Sequence, residues 1–414
     1  MTPGNIHIID IILKQGYPVW IRSFSALDSY LGMTSLPFVF LETEADIGGL
    51  ARLFEDFRFP GADLADGAVD ADGKSWYFRC RESWEAPLLS SYRILSLVQD
   101  LKNGHFIDPL EIYPQIRFLK NSLHKNSAEK KPAGDPAAIS IDQIAPMDWW
   151  EGLLQGTDSI QAVMDGALIM ARYEALPVPV PGFFESLNRI ISNGSMPGQE
   201  AQQVLLTGIL FSSRPDRGLE FLKASGFMEK YWPELTALNR VDHSKEFHPE
   251  GNAWKHTLQT FEYRKPNSSG EYDLRLSLGL LLHDIGKPLA AVSGNHRFEG
   301  HAELGAQAGK RFLERLRFDP VLAEDVFFLV KNHMLPAALA RLPLTKTAEI
   351  MDSPLFHTLM ELYRCDESSS FKGLEAYYEN SAAYQNYLRN TKNPYRFADG
   401  TLLNRKRKRK YHME

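Results

Sequence analysis

The strongest constraint on this chain is an aspartate that follows a run of leucines, with one histidine between them. In the segment Leu280–Lys287, with the sequence LLLHDIGK, three leucines precede His283 and Asp284. Consecutive leucines belong in a buried interior, and an ionised carboxylate there is costly unless a counter-charge or a metal ion stabilises it. The segment therefore predicts a buried helix with a polar site built around Asp284.

Histidine and aspartate recur on both sides of this segment, at His256, His301, His333 and Asp366. Adjacent residues on a helix point about 100° apart, so His283 and Asp284 can flank one ion only if it lies near the axis of a helix bundle. In that case His256 and Asp366 would close the site from other helices. A mixed set of imidazole and carboxylate ligands suits Mn, Fe, Co, Ni or Mg. We expect one or two such divalent ions.

Each histidine also has a structural alternative, because a single histidine on an apolar helix is more often a hydrogen-bonded core residue than a ligand. The linear order of the whole set favours a site. His243, His296 and His357 lack that context, and we interpret them as surface or loop residues. His248 begins the segment HPEG and fits either a structural cap or the edge of the site.

Composition restricts the class of protein. The chain has 414 residues, 44% hydrophobic and 24% charged, which is typical of a globular protein with several domains. A net charge of −6 means that nucleic acid could bind only at a local basic patch. No apolar run reaches the roughly 18 residues of a membrane span. Two distant cysteines and an N-terminus without a basic signal region lead us to expect a cytoplasmic protein that contacts no membrane.

The hydrophobic pattern divides the chain into a mixed front part and a helical remainder. Short β-rich runs at Val19–Ile21, Phe38–Leu41 and Trp76–Cys80 indicate strands, and residues 46–57 resemble a helix. The Asp-Gly pair at 72–73 favours a tight hairpin turn. After the polar stretch 125–140, apolar residues recur at three- and four-residue steps almost to the end, which predicts helices.

The region around these histidines resembles the HD domain of bacterial CCA-adding tRNA nucleotidyltransferases and related poly(A) polymerases. The resemblance is strongest over residues 195–370. It includes the junction motifs RPDRG at 214–218, HPEG at 248–251 and WKHTL at 254–258. It extends weakly upstream to residue 16.

This resemblance implies a ligand set and a reaction. The implied metal ligands are His256, His283, Asp284 and Asp366, with His301 and His333 as the extra histidines of two-metal members. Lys287 would then face a phosphate. The implied reaction is the hydrolysis of a phosphoester by a water molecule that the metal activates, with His283, Asp284 and Lys287 as catalytic residues.

The same resemblance implies that the front domain has lost its chemistry. Family members carry Asp-x-Asp on a strand and a third carboxylate on a later strand. Counting from residues 42–45, which resemble the family's Ala-Thr-x-Ala, places Phe38 and Phe40 at the first two positions and the third near Trp76. Phenylalanine offers no oxygen to Mg²⁺. The front domain is therefore interpreted as a degenerate nucleotidyltransferase kept as a scaffold.

Two further groups of residues support that interpretation. Gln199 and Gln203 stand where family members place an arginine and an acid that select the nucleotide. Five nearby aspartates are interpreted as turn or surface acids rather than replacement ligands: Asp28, Asp46, Asp63, Asp66 and Asp70.

The predicted fold class is α+β, with a mixed α/β front domain followed by a mostly α-helical neck and an all-α HD domain. The predicted domains are a degenerate nucleotidyltransferase-like domain (1–124), a linker (125–140), a helical neck of RNA-binding type (141–240), an HD phosphohydrolase domain (241–370) and a helical extension with a basic tail (371–414).

Three functions are compatible with these features. The favoured one is a metal-dependent phosphohydrolase whose substrate is a nucleotide, a 2′,3′-cyclic phosphate or an RNA-end phosphate. The second is a non-catalytic protein that binds RNA or tRNA, and the third is an active tRNA nucleotidyltransferase. The basic run at 405–410 is either a solvated terminus or a phosphate-binding segment for RNA.

Overall fold

A computed structural model describes residues 6–82, 91–114, 116–117, 119–120, 159–174, 179, 181–241, 251–291, 298–370, 373–393 and 395–402. The chain forms two compact units. The first contains Met1–Pro233 and Pro266–Tyr272, and the second contains Glu234–Lys265 and Asp273–Glu414. Several sequence predictions fall outside the described residues: the linker at 125–140, His243, His248, His296 and the basic run at 405–410.

The first unit combines a six-stranded mixed sheet with helices. Its strands are β1 (Val19–Arg22), β2 (Phe38–Thr43), β3 (Gly67–Ala71), β4 (Lys74–Cys80), β5 (Val98–Asp100) and β6 (Phe106–Ile107). Its helices are α1 (Ile6–Lys14), α2 (Ser23–Leu31), α3 (Ile47–Leu53), α4 (Ile160–Arg172), α5 (Pro181–Asn193), α6 (Gln199–Leu210), α7 (Pro215–Ala224) and α8 (Phe227–Tyr231).

The second unit is helical in its described residues. Its helices are α9 (Pro233–Thr236, which begins at the boundary), α10 (Ala253–Thr260), α11 (Leu274–Leu282), α12 (Lys287–Ala291), α13 (His301–Arg315), α14 (Pro320–Asn332), α15 (Leu344–Met351), α16 (Phe356–Ser368) and α17 (Glu375–Thr391). The α+β fold class predicted from the sequence is therefore confirmed. None of the helices described in either unit is both long and apolar enough to span a membrane.

The strand order in the sheet is β3-β4-β2-β1-β5-β6. Strands β2 and β4 are parallel, and the other neighbouring strands are antiparallel. The predicted Asp-Gly turn joins β3 to β4, and both of its residues have the positive φ that this hairpin needs, 53° at Asp72 and 72° at Gly73. The helix predicted at 46–57 ends early, at Leu53, where the backbone of Phe54 becomes extended, and Arg58 then pairs with Ala68 in a β-bridge.

The two faces of β2 differ, because successive side chains of a strand point to opposite sides. Val39 and Leu41 belong to the hydrophobic core, together with Trp76 and Phe78 of β4. Phe38 and Phe40 share the other face, with their ring centroids 5.6 Å apart.

The residue that follows Trp76 completes the aromatic face of β2. Tyr77 pairs in register with Phe40, and their ring centroids also lie 5.6 Å apart. Trp76 instead points into the core. The third aromatic ring on this face is therefore contributed by Tyr77, one residue after the position predicted from the sequence.

One of the five aspartates interpreted as turn or surface acids is buried, so that prediction was wrong for Asp28. Its side chain is 2% exposed and accepts hydrogen bonds from Arg172 Nε at 2.8 Å and from the Tyr173 hydroxyl at 3.0 Å. The arginine and the tyrosine follow Asp28 by 144 and 145 residues, so no local pattern could reveal the pairing. Asp46, by contrast, caps the start of α3 by accepting from Gly49 N at 2.6 Å.

In the second unit, the leucines of the LLLHDIGK segment lie in the core. Leu280, Leu281 and Leu282 are 0% exposed at the end of α11. Helix α11 packs against α14 and α16, and α14 also packs against α13. These four helices carry or precede five of the six predicted metal ligands, and α10 carries the sixth.

Candidate metal centre

The HD pair lies on a turn rather than within a helix. Helix α11 ends at Leu282, His283 is its C-terminal cap, and α12 begins at Lys287. Within the turn, Ile285 N donates to Leu282 O at 3.1 Å and Lys287 N donates to Asp284 O at 2.9 Å. The buried leucines before the turn thus hold His283 and Asp284 in the interior, where they are 1% and 2% exposed.

Gly286 allows this turn to approach helix α13 closely. A Cβ atom at Gly286 would lie 2.0 Å from His301 O and 2.5 Å from Gly305 N, so any side chain there would collide with backbone. Residue 305 is itself a glycine, and a Cβ atom added to it would lie 3.1 Å from Gly286 N. The two glycines therefore bring the HD turn and the first turn of α13, which begins with His301, into direct contact.

All six predicted ligands lie together, as two groups of three. In the first group, His256 Nε2 is 2.8 Å from Asp366 Oδ1, and His283 Nε2 is 3.9 Å from the same oxygen. In the second group, His301 Nε2 is 3.2 Å from His333 Nε2 and 3.7 Å from Asp284 Oδ1. The potential ligand atoms of each group lie within 4.8 Å of one another.

Asp284 lies between the two groups. Its Oδ1 faces His301, whereas its Oδ2 is 3.4 Å from His283 Nε2. The resemblance implied a set in which Asp284 joins His256, His283 and Asp366. In the structure it completes the group of His301 and His333 and also contacts the first group.

In three of the four imidazole rings, a hydrogen bond to the local main chain fixes the nitrogen that points away from the centre. Each places Nδ1 against the main-chain carbonyl three residues earlier: His283 at 2.8 Å, His301 at 2.8 Å and His333 at 2.7 Å. Because a carbonyl can only accept, Nδ1 carries a proton in these rings, and Nε2 is the nitrogen that faces the centre. This arrangement, in which the outer nitrogen is fixed by a hydrogen bond, is typical of histidines that bind metals.

Burial keeps two of these rings neutral. It lowers the pKa of His333 to about 4 and also lowers the pKa of His301. At neutral pH both rings can therefore offer a lone pair instead of a positive charge.

The two carboxylates of the centre remain ionised. Burial acts to raise the pKa of Asp284, but His283 and Lys287 outweigh it and hold that pKa well below its usual range. Burial likewise acts to raise the pKa of Asp366, and the hydrogen bond between Asp366 and His256 more than compensates, so this pKa is also lowered. Both carboxylates are anionic at neutral pH.

These features fit a divalent metal ion. The nitrogen His283 Nε2 is buried and makes no hydrogen bond, although two carboxylates lie within 4 Å of it. Leaving a buried polar atom without a partner is costly unless the site has another occupant. Four imidazole nitrogens and two carboxylates together form a donor set for borderline and hard divalent cations.

Lys287, the third predicted catalytic residue, borders the centre. Its Nζ donates to Asp284 Oδ2 at 2.6 Å and lies 6.0 Å from the centroid of the Phe298 ring. The predicted contact between Lys287 and a phosphate stays a prediction. His357, interpreted from the sequence as a surface or loop residue, is exposed.

Comparison with known families identifies this part of the chain. Residues 255–353 match the family described as the HD domain. This segment is an HD domain. The matched range includes five of the six ligands of the centre, and Asp366 follows it on α16.

The HD domain lies in a segment homologous to curated tRNA nucleotidyltransferases. A CC-adding tRNA nucleotidyltransferase of Thermus thermophilus is 35% identical over 144 residues, 34% of this chain and 32% of the relative. A multifunctional CCA protein of Verminephrobacter eiseniae is 29% identical over 188 residues, 42% of this chain and 45% of the relative. The matched part thus spans less than half the length of these relatives.

Solved structures that align with this chain include CCA-adding enzymes. The Bacillus stearothermophilus CCA-adding enzyme in complex with CTP aligns with 94% of this chain and 84% of its own, with a TM-score of 0.43 and 14% identity. A tRNA nucleotidyltransferase complexed with a primer tRNA and an incoming ATP analog aligns with 93% and 99%, with a TM-score of 0.40 and 14% identity.

Two residues that contribute to the centre had no role in the sequence-based prediction. Gly286 is part of the HDIGK motif, and its tight packing against α13 would explain a glycine there. Ser369 follows Asp366 by three residues, and its Oγ lies 3.3 Å from His256 Nδ1. A hydroxyl one helical turn after a carboxylate is the only signal that the sequence offers for the serine.

Proposed function

We propose that the HD domain is a metal-dependent phosphohydrolase. The observation that carries the proposal is the convergence of two groups of three metal-ligating side chains on buried positions, with Asp284 in contact with both groups. A single buried histidine needs no ligand to explain it. Four imidazoles turned toward two ionised carboxylates are difficult to explain without one.

The six ligands and Lys287 would have different roles in this reaction. His256, His283 and Asp366 would hold one divalent ion, and Asp284, His301 and His333 would hold a second. A bound divalent ion would supply charge neutralisation for a phosphoester and a more acidic water. Lys287 adds a positive charge beside Asp284, which suits the binding of an anionic phosphate.

Access to the centre is uneven. The Asp366 side chain is 25% exposed, whereas those of His256, His283 and Asp284 are 2% exposed or less. A substrate would therefore approach from the Asp366 side. The substrates that we propose are small phosphoesters: nucleotides, 2′,3′-cyclic phosphates and RNA-end phosphates.

Metal analysis followed by a substrate panel tests this function. The purified chain should retain Mn, Fe, Co, Ni or Mg and should hydrolyse at least one substrate in a panel of phosphatase and cyclic-phosphodiesterase substrates. Prolonged treatment with a chelator should abolish that turnover, and a divalent ion should restore it, because the ion would supply the more acidic water on which hydrolysis depends. A chain that binds no divalent ion under any of these conditions would contradict the proposal.

We further propose that the front domain does not transfer nucleotides. Phe38, Phe40 and Tyr77 occupy neighbouring places on the sheet face where the resemblance implies carboxylates for Mg²⁺. Within the described residues, no group of three His, Cys, Asp or Glu side chains outside the HD centre converges closely enough to hold an ion.

Helix α6 is also fixed against this aromatic face by its own side chains. Glu200 of α6 accepts hydrogen bonds from Arg58 and from the Tyr77 hydroxyl, the latter at 2.9 Å. At the start of the same helix, Gly198 N donates to Asp63 Oδ2 at 2.7 Å. Side chains of the protein itself thus fill part of the space beside Tyr77, which supports a role as a scaffold.

Incubation with tRNA lacking its 3′ end, together with ATP, CTP and Mg²⁺, is therefore expected to give no extension. The physical reason is that two Mg²⁺ ions on a triphosphate need carboxylate oxygens, which aromatic rings cannot supply. Denaturing gels at single-nucleotide resolution measure the result. Nucleotide addition that persists when the HD centre is mutated would show that the front domain is active.

A second candidate function is RNA binding by the C-terminal region. Residues 389–411 contain nine Lys and Arg residues and a single acid, Asp399, although the whole chain has a net charge of −6. Within the same region, Tyr395 is 63% exposed and Phe397 is 45% exposed. Exposed aromatic rings among cations suit single-stranded RNA, whose bases stack and whose phosphates are anionic. The relatives named for tRNA nucleotidyl transfer make tRNA the first RNA to test.

We keep the cytoplasm as the proposed location, since both cysteines are free.

A further inference from the structure

His256 differs from the other three histidines of the centre. His283, His301 and His333 each place Nδ1 against a carbonyl of their own chain segment, three residues earlier. Such hydrogen bonds form whenever the local backbone folds, so they do not depend on a distant partner. His256 instead depends on a side chain 113 residues away, the hydroxyl of Ser369, with an Nδ1–Oγ distance of 3.3 Å.

Ser369 also holds the other side of the same group. It is the residue after the end of α16, and its hydroxyl donates to Asp366 O at 2.6 Å. Because that hydroxyl proton is used, the hydrogen bond with His256 is best made with Nδ1–H as the donor and Oγ as the acceptor. Ser369 itself is 2% exposed, so water cannot readily replace it.

We propose that Ser369 is a positioning residue for the first metal group, formed by His256, His283 and Asp366. The inference rests on the proposed metal function of the HD domain. By fixing the His256 ring with Nδ1–H turned to the serine, the hydroxyl leaves Nε2 for the centre. By binding Asp366 O at the same time, it joins α10 to the end of α16, so both ligands keep one geometry.

Removing the hydroxyl should affect the two groups unequally. In Ser369→Ala, His256 keeps its place on α10 but loses the hydrogen bond between Nδ1 and the serine hydroxyl, so its ring is held less firmly about χ2. Loss of such an outer partner typically costs about 10–100-fold in metal affinity. Asp284, His301 and His333 do not contact Ser369 through any hydrogen bond described, so affinity at the second group should stay the same.

Titration of the full chain with Co²⁺, followed by its visible absorption, tests the proposal. The expected result for Ser369→Ala is that one class of sites weakens by about 10–100-fold while the other is unchanged. Ser370→Ala is the matched control, because Ser370 also follows α16 and donates to a carbonyl three residues earlier, Glu367 O at 2.9 Å. It should bind Co²⁺ like the wild type. Ser369→Thr keeps the hydroxyl and should restore most of the affinity.

The outcomes separate this inference from the proposed function. If the wild type binds no Co²⁺, the proposed function fails first. If the wild type binds Co²⁺ and Ser369→Ala binds it equally well, only the role of Ser369 is wrong. An equal drop in affinity in Ser369→Ala and Ser369→Thr would point to packing instead of the hydroxyl and would also overturn the inference.

A measurement on the unmodified chain covers the case in which Ser369→Ala does not fold. In the Zn²⁺-loaded protein, ¹⁵N-labelled histidine should show the Nδ1–H proton of His256 protected from solvent exchange, because Ser369 accepts it in a buried position. The exposed ring of His357 provides the unprotected reference. Exchange at His256 as fast as at His357 would overturn the inference.

Discussion

Replacement of Asp284 by alanine is expected to abolish phosphoester hydrolysis and to weaken metal binding by at least about 100-fold. Loss of an outer partner of a metal ligand already costs about 10–100-fold, and Asp284 is in direct contact with both groups of the centre. The substitution also removes the carboxylate that Lys287 contacts at 2.6 Å. The loss of hydrolysis is measured as steady-state turnover on the best substrate of the panel. The weaker metal binding is measured as metal content after dialysis.

Two further variants make this result interpretable. Asp284→Asn keeps the shape of the side chain but removes its charge, so it separates loss of the ligand from loss of packing. Asp325→Ala removes another aspartate of the same unit, one that is ion-paired with Arg275 at 2.7 Å and belongs to neither group of the centre. It should retain metal and turnover. If Asp284→Ala hydrolyses every tested phosphoester as well as the wild type does, the chain is not an HD phosphohydrolase.

The convergence of these six side chains could be predicted from the sequence because their linear order around one buried segment favours a common site, whereas their binding of a metal ion stays a prediction. An aspartate behind three leucines marks a buried polar site, and the order of the histidines around it indicates which residues join it. The division of the ligands into two groups of three was harder to predict from the sequence. Asp284 faces His301 because Gly286 lets the turn touch α13, and that approach depends on how two helices pack, which periodicity alone does not specify.

In the front domain, too, some features follow from the local sequence and others depend on tertiary packing. Alternation along β2 correctly placed Phe38 and Phe40 on one face, because strand geometry has a period of two residues. The partners that complete that face come from elsewhere. Glu200 lies 123 residues after Tyr77, and the pairing of Asp28 with Arg172 spans 144 residues. Pairings over such separations depend on tertiary packing, so local sequence patterns do not reveal them.

The proposed RNA-binding residues at the C-terminus are different from the residues proposed for hydrolysis. The run of cations at 405–410 begins three residues after a described segment, 395–402, in which Tyr395 and Phe397 are exposed. The HD centre uses none of these residues. If RNA binds this region, its affinity should come mainly from ion pairs with phosphates, whose strength falls as salt rises because counterions are released on binding.

Deletion of residues 405–410 is therefore expected to weaken RNA binding while leaving turnover on small phosphoesters unchanged. Every phosphate that the shortened chain no longer neutralises should flatten the slope of log affinity against log salt by about 0.7 for a single strand, and six such phosphates by about 4. Filter binding of a labelled tRNA at several salt concentrations measures the slope, and replacement of the three arginines of the run by lysine is the charge-matched control. Asp284→Ala should show the opposite pattern, with RNA binding kept and hydrolysis abolished. If the deletion abolishes RNA binding while Asp284→Ala changes no activity, the chain is an RNA-binding protein rather than a phosphohydrolase.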